Sequence, residues 1–343
     1  MNGWVSRVAG GSAALALAFA GAAESAEPAG GAPGRRGPLG GRDEWLLAQP
    51  RLSLPAISPD ALSAGQTRVS LDLAWGNDFG WQPGPSSTDT TDFLVDGEHR
   101  TLSLDVRYGL TPVLSVGVRL PLRWRGGGLM DGIIDAFHDF TGLPGGARAL
   151  FPADRLRVEG RDTLLRPIQW EGGAGTDVGN AELLGHWAFH PAAPGAWAAA
   201  LVVRAALPTG TGTFAGDGAA AGAQLVAARS LHQSLDLYLG LGGTAQTRPI
   251  VGGIEYAPRR GQGFLALEWR PGRRWSLTGE VDASTRLVRN LMSYPAWQSN
   301  LRLGAGFDLS ERWRLQAGFV EGIKSQHATT DFGVVAGLAR TFP

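Results

Sequence analysis

The chain has 343 residues, 43% hydrophobic and only 18% charged, with 51 glycines, 12 tryptophans and no cysteine. The charged share falls below the roughly 25% of an ordinary globular domain, and the length suits two soluble domains or one large barrel. A formal net charge of zero excludes nucleic-acid binding by bulk electrostatics.

Residues 1–23, MNGWVSRVAGGSAALALAFAGAA, read as a secretory signal peptide. Arg7 supplies the positive start and Val8–Ala20 the short apolar run. Ala20-Gly21-Ala22 carries the small residues a signal peptidase needs, so cleavage is expected near Ala22 or Ala23. The run is too short and alanine-rich for a transmembrane helix, which needs about 20 apolar residues. No cysteine follows, which excludes a lipid-anchored lipoprotein. Residues 24–66 form a Pro/Gly-rich lead segment whose prolines oppose both helix and central strand. Within it Trp45, Leu46, Leu47, Leu52, Leu54 and Ile57 need burial. Two readings stay open: a lumen plug threaded in from the periplasmic end, or a loosely attached tail.

From Thr67 to residue 342 the texture becomes period-two alternation. In 234–246, Leu235, Leu237, Leu239 and Leu241 fall on one face, with Asp236, Tyr238 and Thr244 on the other. About twelve such segments occur, near 67–79, 93–108, 113–124, 178–190, 196–208, 219–231, 234–247, 262–270, 274–288, 296–308, 312–322 and 331–342. Most have the roughly 9–11 residues a tilted strand needs to cross a bilayer. No apolar run after Ala23 could cross as a helix, so a membrane-embedded chain would span as strands.

Connections alternate in length: short at 109–112, 191–195, 232–233, 271–273 and 310–311, longer at 80–92, 125–177, 209–218, 248–261, 289–295 and 323–330. That sorting marks an outer-membrane barrel, with periplasmic turns and external loops. Aromatics gather at both strand ends as two girdles. Tyr108, Phe189, Trp197, Trp275 and Trp313 lie near the short turns, and Trp75, Phe79, Trp124, Phe264, Trp297 and Phe319 near the long loops. The expected fold is all-β: a transmembrane antiparallel up-and-down β-barrel over residues 67–342. It must close, because an open edge in lipid leaves backbone groups unsatisfied. The even strand count puts both termini on the periplasmic side, in the outer membrane of a Gram-negative bacterium. The expected partners are outer-membrane lipid and lipopolysaccharide, the barrel-assembly machinery during biogenesis and a small-molecule solute. Neither a cofactor nor a nucleic acid is expected.

One stretch breaks the alternation. In residues 126–144, GGGLMDGIIDAFHDFTGLP, Leu129, Ile133, Phe137 and Phe140 recur at helical spacing. They predict a short amphipathic helix in the longest external loop, needing a surface for its apolar face. It would lie on the outer rim or fold into the lumen mouth as a gate. Asp131, Asp135, His138 and Asp139 would then face water or the pore. Asp135, His138 and Asp139 also have the spacing of a metal site, though carboxylates on a solvated helix face are commonplace.

Alternation assigns fourteen charged residues to the lumen: Asp72, Asp105, Arg107, Arg119, Arg123, Glu182, Arg204, Glu268, Arg270, Glu280, Asp282, Arg302, Asp308 and Arg314. They form either a structural seal of Arg–carboxylate pairs or a weakly selective polar passage. Twelve strands lie between filled small barrels and open porins, so width does not decide. The last strand puts Phe332, Val334, Ala336, Leu338 and Phe342 on one face, resembling the C-terminal assembly signal of barrel proteins. Pro343 after the Phe, and Arg340 on the same face, depart from that pattern.

The segments GPLGGRDEW at 37–45, VSLDLAWGNDF at 69–79, residues 96–146 and AALPTGTG at 205–212 carry a resemblance over roughly 37–342. Its most specific part is the RYGL…RGGG…DG…FHD block at 107–144. The chain resembles the bacterial family catalogued as domain of unknown function 3187. That resemblance implies an outer-membrane β-barrel and no substrate, reaction or catalytic residue. The leading expectation is a channel or transporter for a small, amphipathic or apolar solute. The alternative is a closed barrel acting through its external loops. A lipid-modifying enzyme would need a His-activated serine, and no such motif is visible: His99 and Ser103, four apart on a strand, lie about 13 Å apart.

Overall fold

The computed structural model describes residues 34–84, 91–141, 148–169, 174–191, 195–212, 218–247, 250–251, 253–323 and 328–343. The expected signal peptide and residues 24–33 lie outside the described residues. Twelve long strands make one closed ring: β1 (Thr67–Pro83), β2 (Thr91–Thr111), β3 (Leu114–Gly126), β4 (Glu182–His190), β5 (Ala198–Ala206), β6 (Ala220–His232), β7 (Leu235–Gln246), β8 (Arg259–Trp269), β9 (Trp275–Thr285), β10 (Trp297–Asp308), β11 (Trp313–Gly322) and β12 (Phe332–Phe342). Sequence neighbours pair antiparallel, and β12 closes on β1 from Phe342 opposite Thr67 to Phe332 opposite Asn77.

Alternation explains the ring. Leu71 and Leu73 of β1 lie opposite Leu104 and Leu102 of β2, themselves opposite Leu120 and Leu122 of β3, and all are exposed. This apolar outer surface suits lipid, while the residues between point into the lumen. At the rim Arg100 lies over the rings of Trp75 (4.5 Å) and Trp124 (4.4 Å) on the same outer face. At the short-turn end Trp275 and Phe307 pack with centroids 4.6 Å apart. Phe264, expected in a girdle, instead shares the inward face of β8 with Glu268 and is buried.

Several boundaries differ from expectation: β1 runs on to Pro83, inside the expected 80–92 loop, and β2 spans Thr91–Thr111. β4 starts at Glu182 rather than 178; residues Gly175–Val178 pair separately with Arg125–Leu122 of β3. The break falls beside Pro121, which has no N–H for the ladder and only accepts, from Gly179 N at 2.8 Å. β8 begins at Arg259, inside the expected loop, and continues the ladder with Ala245 of β7.

The predicted helix exists as α1 (Met130–Thr141), but its first turn faces the other way. Leu129 and Ile133, expected to pack on the barrel, are 70% and 57% exposed. Asp131, expected to face water, is buried with Met130 and Ile134, while Asp135 is exposed. The cause is ion pairing. Asp131 accepts from Arg148, from Asn77 Nδ2 at 2.8 Å and from Asp154 N at 2.7 Å. Glu98 caps the helix by accepting from the N–H groups of Leu129 (2.6 Å) and Met130 (2.9 Å). Gly128 makes that approach possible: its φ is +83°, and a Cβ there would stand 1.9 Å from the Glu98 carboxylate. Asn77 and Glu98 share the outward face with Leu71 and Leu104, so α1 is anchored on the outer wall and not over the lumen mouth. The side chains of Phe137, His138, Asp139 and Phe140 lie outside the described residues.

Candidate functional site: the filled lumen

Residues 34–66 run up the lumen from the short-turn end and back down. On the ascending limb, Arg36 pairs with Asp308 and reaches the Arg273 carbonyl. The N–H groups of Arg36 and Gly37 donate to Glu268, each at 3.2 Å, and Tyr238 donates to the same carboxylate at 2.6 Å. Gly41 passes directly over Arg302, where a Cβ would stand 2.1 Å from Nε. Arg42 holds Glu182 through two bonds of 2.9 and 2.8 Å, and Asp43 accepts from Arg260 at 2.9 Å.

At the long-loop mouth the segment turns through Leu46–Ala48. Leu46 N donates to Asp78 Oδ2 at 2.6 Å, an oxygen shared with His99 Nδ1 at 2.9 Å. An apolar cap closes over this turn. Trp45, Leu46 and Leu47 pack with Phe93 and Val95 of β2, with Val158, and with Ile254, Tyr256, Leu287, Val288, Leu291 and Tyr294 from the long connections. Burial there raises the Tyr294 phenol well above its ordinary value.

On the descending limb, Arg51 donates to Gln246 at 2.7 Å and lies 3.9 Å over the Tyr256 ring. Burial pulls its guanidinium down to about 10, so it stays charged at neutral pH. Leu54 N donates to Gln262 (2.6 Å), and Gln224 donates to the Pro55 carbonyl (2.9 Å). Ala56 and Ile57 pack on the inner faces of β4–β8, through Ala188, Ala200, Val202, Val226, Ala228 and Phe264. The limb ends where Gly65 N donates to Gly109 O (2.8 Å) and Gly109 N to Gln66 O (2.9 Å).

All fourteen charged residues assigned to the lumen point inward. Arg302 pairs with Glu280 (3.2 Å) and Asp282, Arg270 with Asp236 (2.5 Å), Arg314 with Asp308 (2.8 Å) and Arg107 with Asp105 (2.9 Å). Arg204 lies 3.5 Å from Glu182, Arg119 donates to Ser103 (2.6 Å), and Asp72 accepts from Ser70 (2.8 Å). Arg123 lies on the same face of β3 as Arg119. Such burial is tolerable only with pairing. Most of these ion pairs lie within the wall; the lead segment adds Arg36 to Asp308 and Arg42 to Glu182.

Sequence reasoning missed Asp78, His99, Asp236 and Arg260 on the wall, and Arg36, Arg42 and Asp43 on the segment. Arg260 was hidden in a presumed loop. A signal existed in β5, AAALVVRAA, where four of the five inward positions, Ala198, Ala200, Val202 and Ala206, are apolar and only Arg204 is charged. A strand that is mostly apolar on both faces packs against something on both sides.

A family model described as "Protein of unknown function (DUF3187)" matches residues 25–342. Comparison with curated proteins gives no match. Similar solved structures include an outer membrane channel from Pseudomonas putida F1, at TM-score 0.55 and 14% identity, covering 82% of this chain and 97% of that one. The KdgM porin aligns at TM-score 0.42 and 7% identity, covering 80% and 99%. The Pseudomonas putida toluene transporter TodX aligns at TM-score 0.37 and 10% identity, covering 92% and 98%. The first of these carries the shared barrel fold.

Proposed function

This chain belongs to the DUF3187 family of proteins of unknown function, and from its filled barrel we propose an outer-membrane channel or transporter whose lead segment is a displaceable plug. The carrying observation is how the segment is held. Among the described residues, no backbone-to-backbone hydrogen bond joins residues 34–62 to the wall; side chains make the attachment. The ring of strands closes without it. A segment outside the ladder can leave or shift without exposing unpaired backbone to lipid.

In this reading the short turns and both termini face the periplasm, the long loops face outward among lipopolysaccharide, and the terminal Phe342 face is read by the assembly machinery. Transport is preferred to catalysis because, among the described residues, His99 meets the carboxylates Asp78 (2.9 Å) and Glu44 (3.9 Å) and no hydroxyl. The apolar cap over Trp45 favours a second reading, a permanently closed barrel acting through its loops.

Planar-bilayer conductance of the refolded mature protein, beside a variant lacking residues 37–61, separates the two. Folding is checked first by the faster gel migration of the unboiled barrel. Larger, steadier conductance steps in the variant are expected. Silence from both folded proteins would sink pore formation.

A further inference from the structure

We propose that the lumen contains a binding site for a small amphipathic carboxylate, in the cavity between the plug and the inner faces of β11, β12 and β1–β5. The cavity measures about 190 Å³, against roughly 150 Å³ for an engineered cavity that takes benzene. A single ring or a six-carbon chain fits. Plug residues Leu39, Ala56 and Ile57 form an apolar wall, and Arg107, Arg119 and Arg204 form a cationic one; the carboxylates Glu44, Asp60, Asp72 and Asp105 line the same cavity.

The cationic wall is short of acceptors. Glu182 gives both oxygens to Arg42 of the plug, leaving Arg204 at 3.5 Å. The Arg204 side chain is 1% exposed, yet its Nε and Nη2 have no hydrogen-bond partner among the described residues. Arg119 lies opposite both Asp105 and Glu182, but Arg107 holds Asp105 and Arg119 is left with the Ser103 hydroxyl, its Nε unpartnered. A carboxylate is the group that satisfies forked guanidinium donors with two oxygens, and its apolar body would lie against Leu39 and Ile57. The site belongs to the resting, plugged barrel. Identifying its ligand with the transported solute rests on the channel reading, but binding itself does not.

The test is calorimetric titration of the refolded full-length barrel in micelles with hexanoate, hexanamide and inorganic phosphate. Saturable binding of one hexanoate is expected, with hexanamide and phosphate at least about tenfold weaker. Arg204→Gln should weaken hexanoate by at least about tenfold. Arg340→Gln, on the outer face against Trp313 and Phe342, should change nothing. Equal binding of hexanoate and hexanamide, phosphate matching hexanoate, no binding to the folded barrel, or unchanged affinity in a folded Arg204→Gln would each overturn the proposal. If that variant fails the gel-migration check, the three-ligand comparison on the unaltered barrel still decides. A negative result leaves the conductance experiment standing as a separate question.

Discussion

Glu182 carries two arginines, and their unequal hold on it shows how the plug is kept in place. Arg42 takes both oxygens at hydrogen-bond distance while Arg204 stays at 3.5 Å. Removing one partner of a buried pair costs about 3–5 kcal/mol, but Arg204 would inherit the vacated carboxylate and return part of it. Arg42→Gln should therefore weaken plug docking by about 1–3 kcal/mol, or roughly 5- to 150-fold in the undocked population. Chymotrypsin cleavage at Trp45–Leu47, which are buried when docked, reads this directly. A matching rise in cleavage rate is expected, with the barrel uncut; an unchanged rate would mean the pair does not fasten the plug. Inward placement of these charges was legible because side chains alternate on a strand. Their partners were not, because Arg42 and Asp43 sit in a Pro/Gly-rich stretch with no period to read.

Among elements, α1 shows where hydrophobic spacing misleads. The spacing located the helix, but chose the wrong face because periodicity cannot see a buried ion pair. Asp131, Arg148 and Asn77 together outweigh the burial of Leu129 and Ile133. Asp131→Ala should leave Arg148 with Asp331 at 3.1 Å, a carboxylate 41% exposed, and release the first turn of α1. The local cost should be about 3 kcal/mol, seen as faster amide exchange at residues 129–134. Conductance and gel migration should stay unchanged, since the anchor is on the outer wall. A change in conductance would return α1 to the role of gate. The shortened β4 has a similar origin: one residue, Pro121, overrides an otherwise readable strand.

For the whole molecule, closure and filling have different causes, so removing the plug should separate them. Lipid demands closure, because each unsatisfied backbone group there costs several kcal/mol; this is why the ring was legible from alternation and turn lengths alone. Filling depends on what the inner face offers, and that was readable only in β5. The plug buries Trp45, Leu46, Leu47, Leu52, Leu54 and Ile57, which at about 1.5–3 kcal/mol each amounts to roughly 9–18 kcal/mol of stabilisation lost with it. A barrel lacking residues 37–61 should accordingly unfold at a lower temperature, yet keep the fast gel migration of a closed ring. Its selectivity follows from the wall: the fourteen inward residues named above are seven arginines and seven carboxylates, mostly paired with one another or with neighbours. Paired charges present little net field to a passing ion, so the reversal potential in a salt gradient should lie near zero. A strong preference for anions would mean that losing Asp43 leaves the freed Arg260 to outweigh the freed Glu182. A preference for cations would show instead that Glu182 and Glu268, both clasped by the segment, dominate once it is gone.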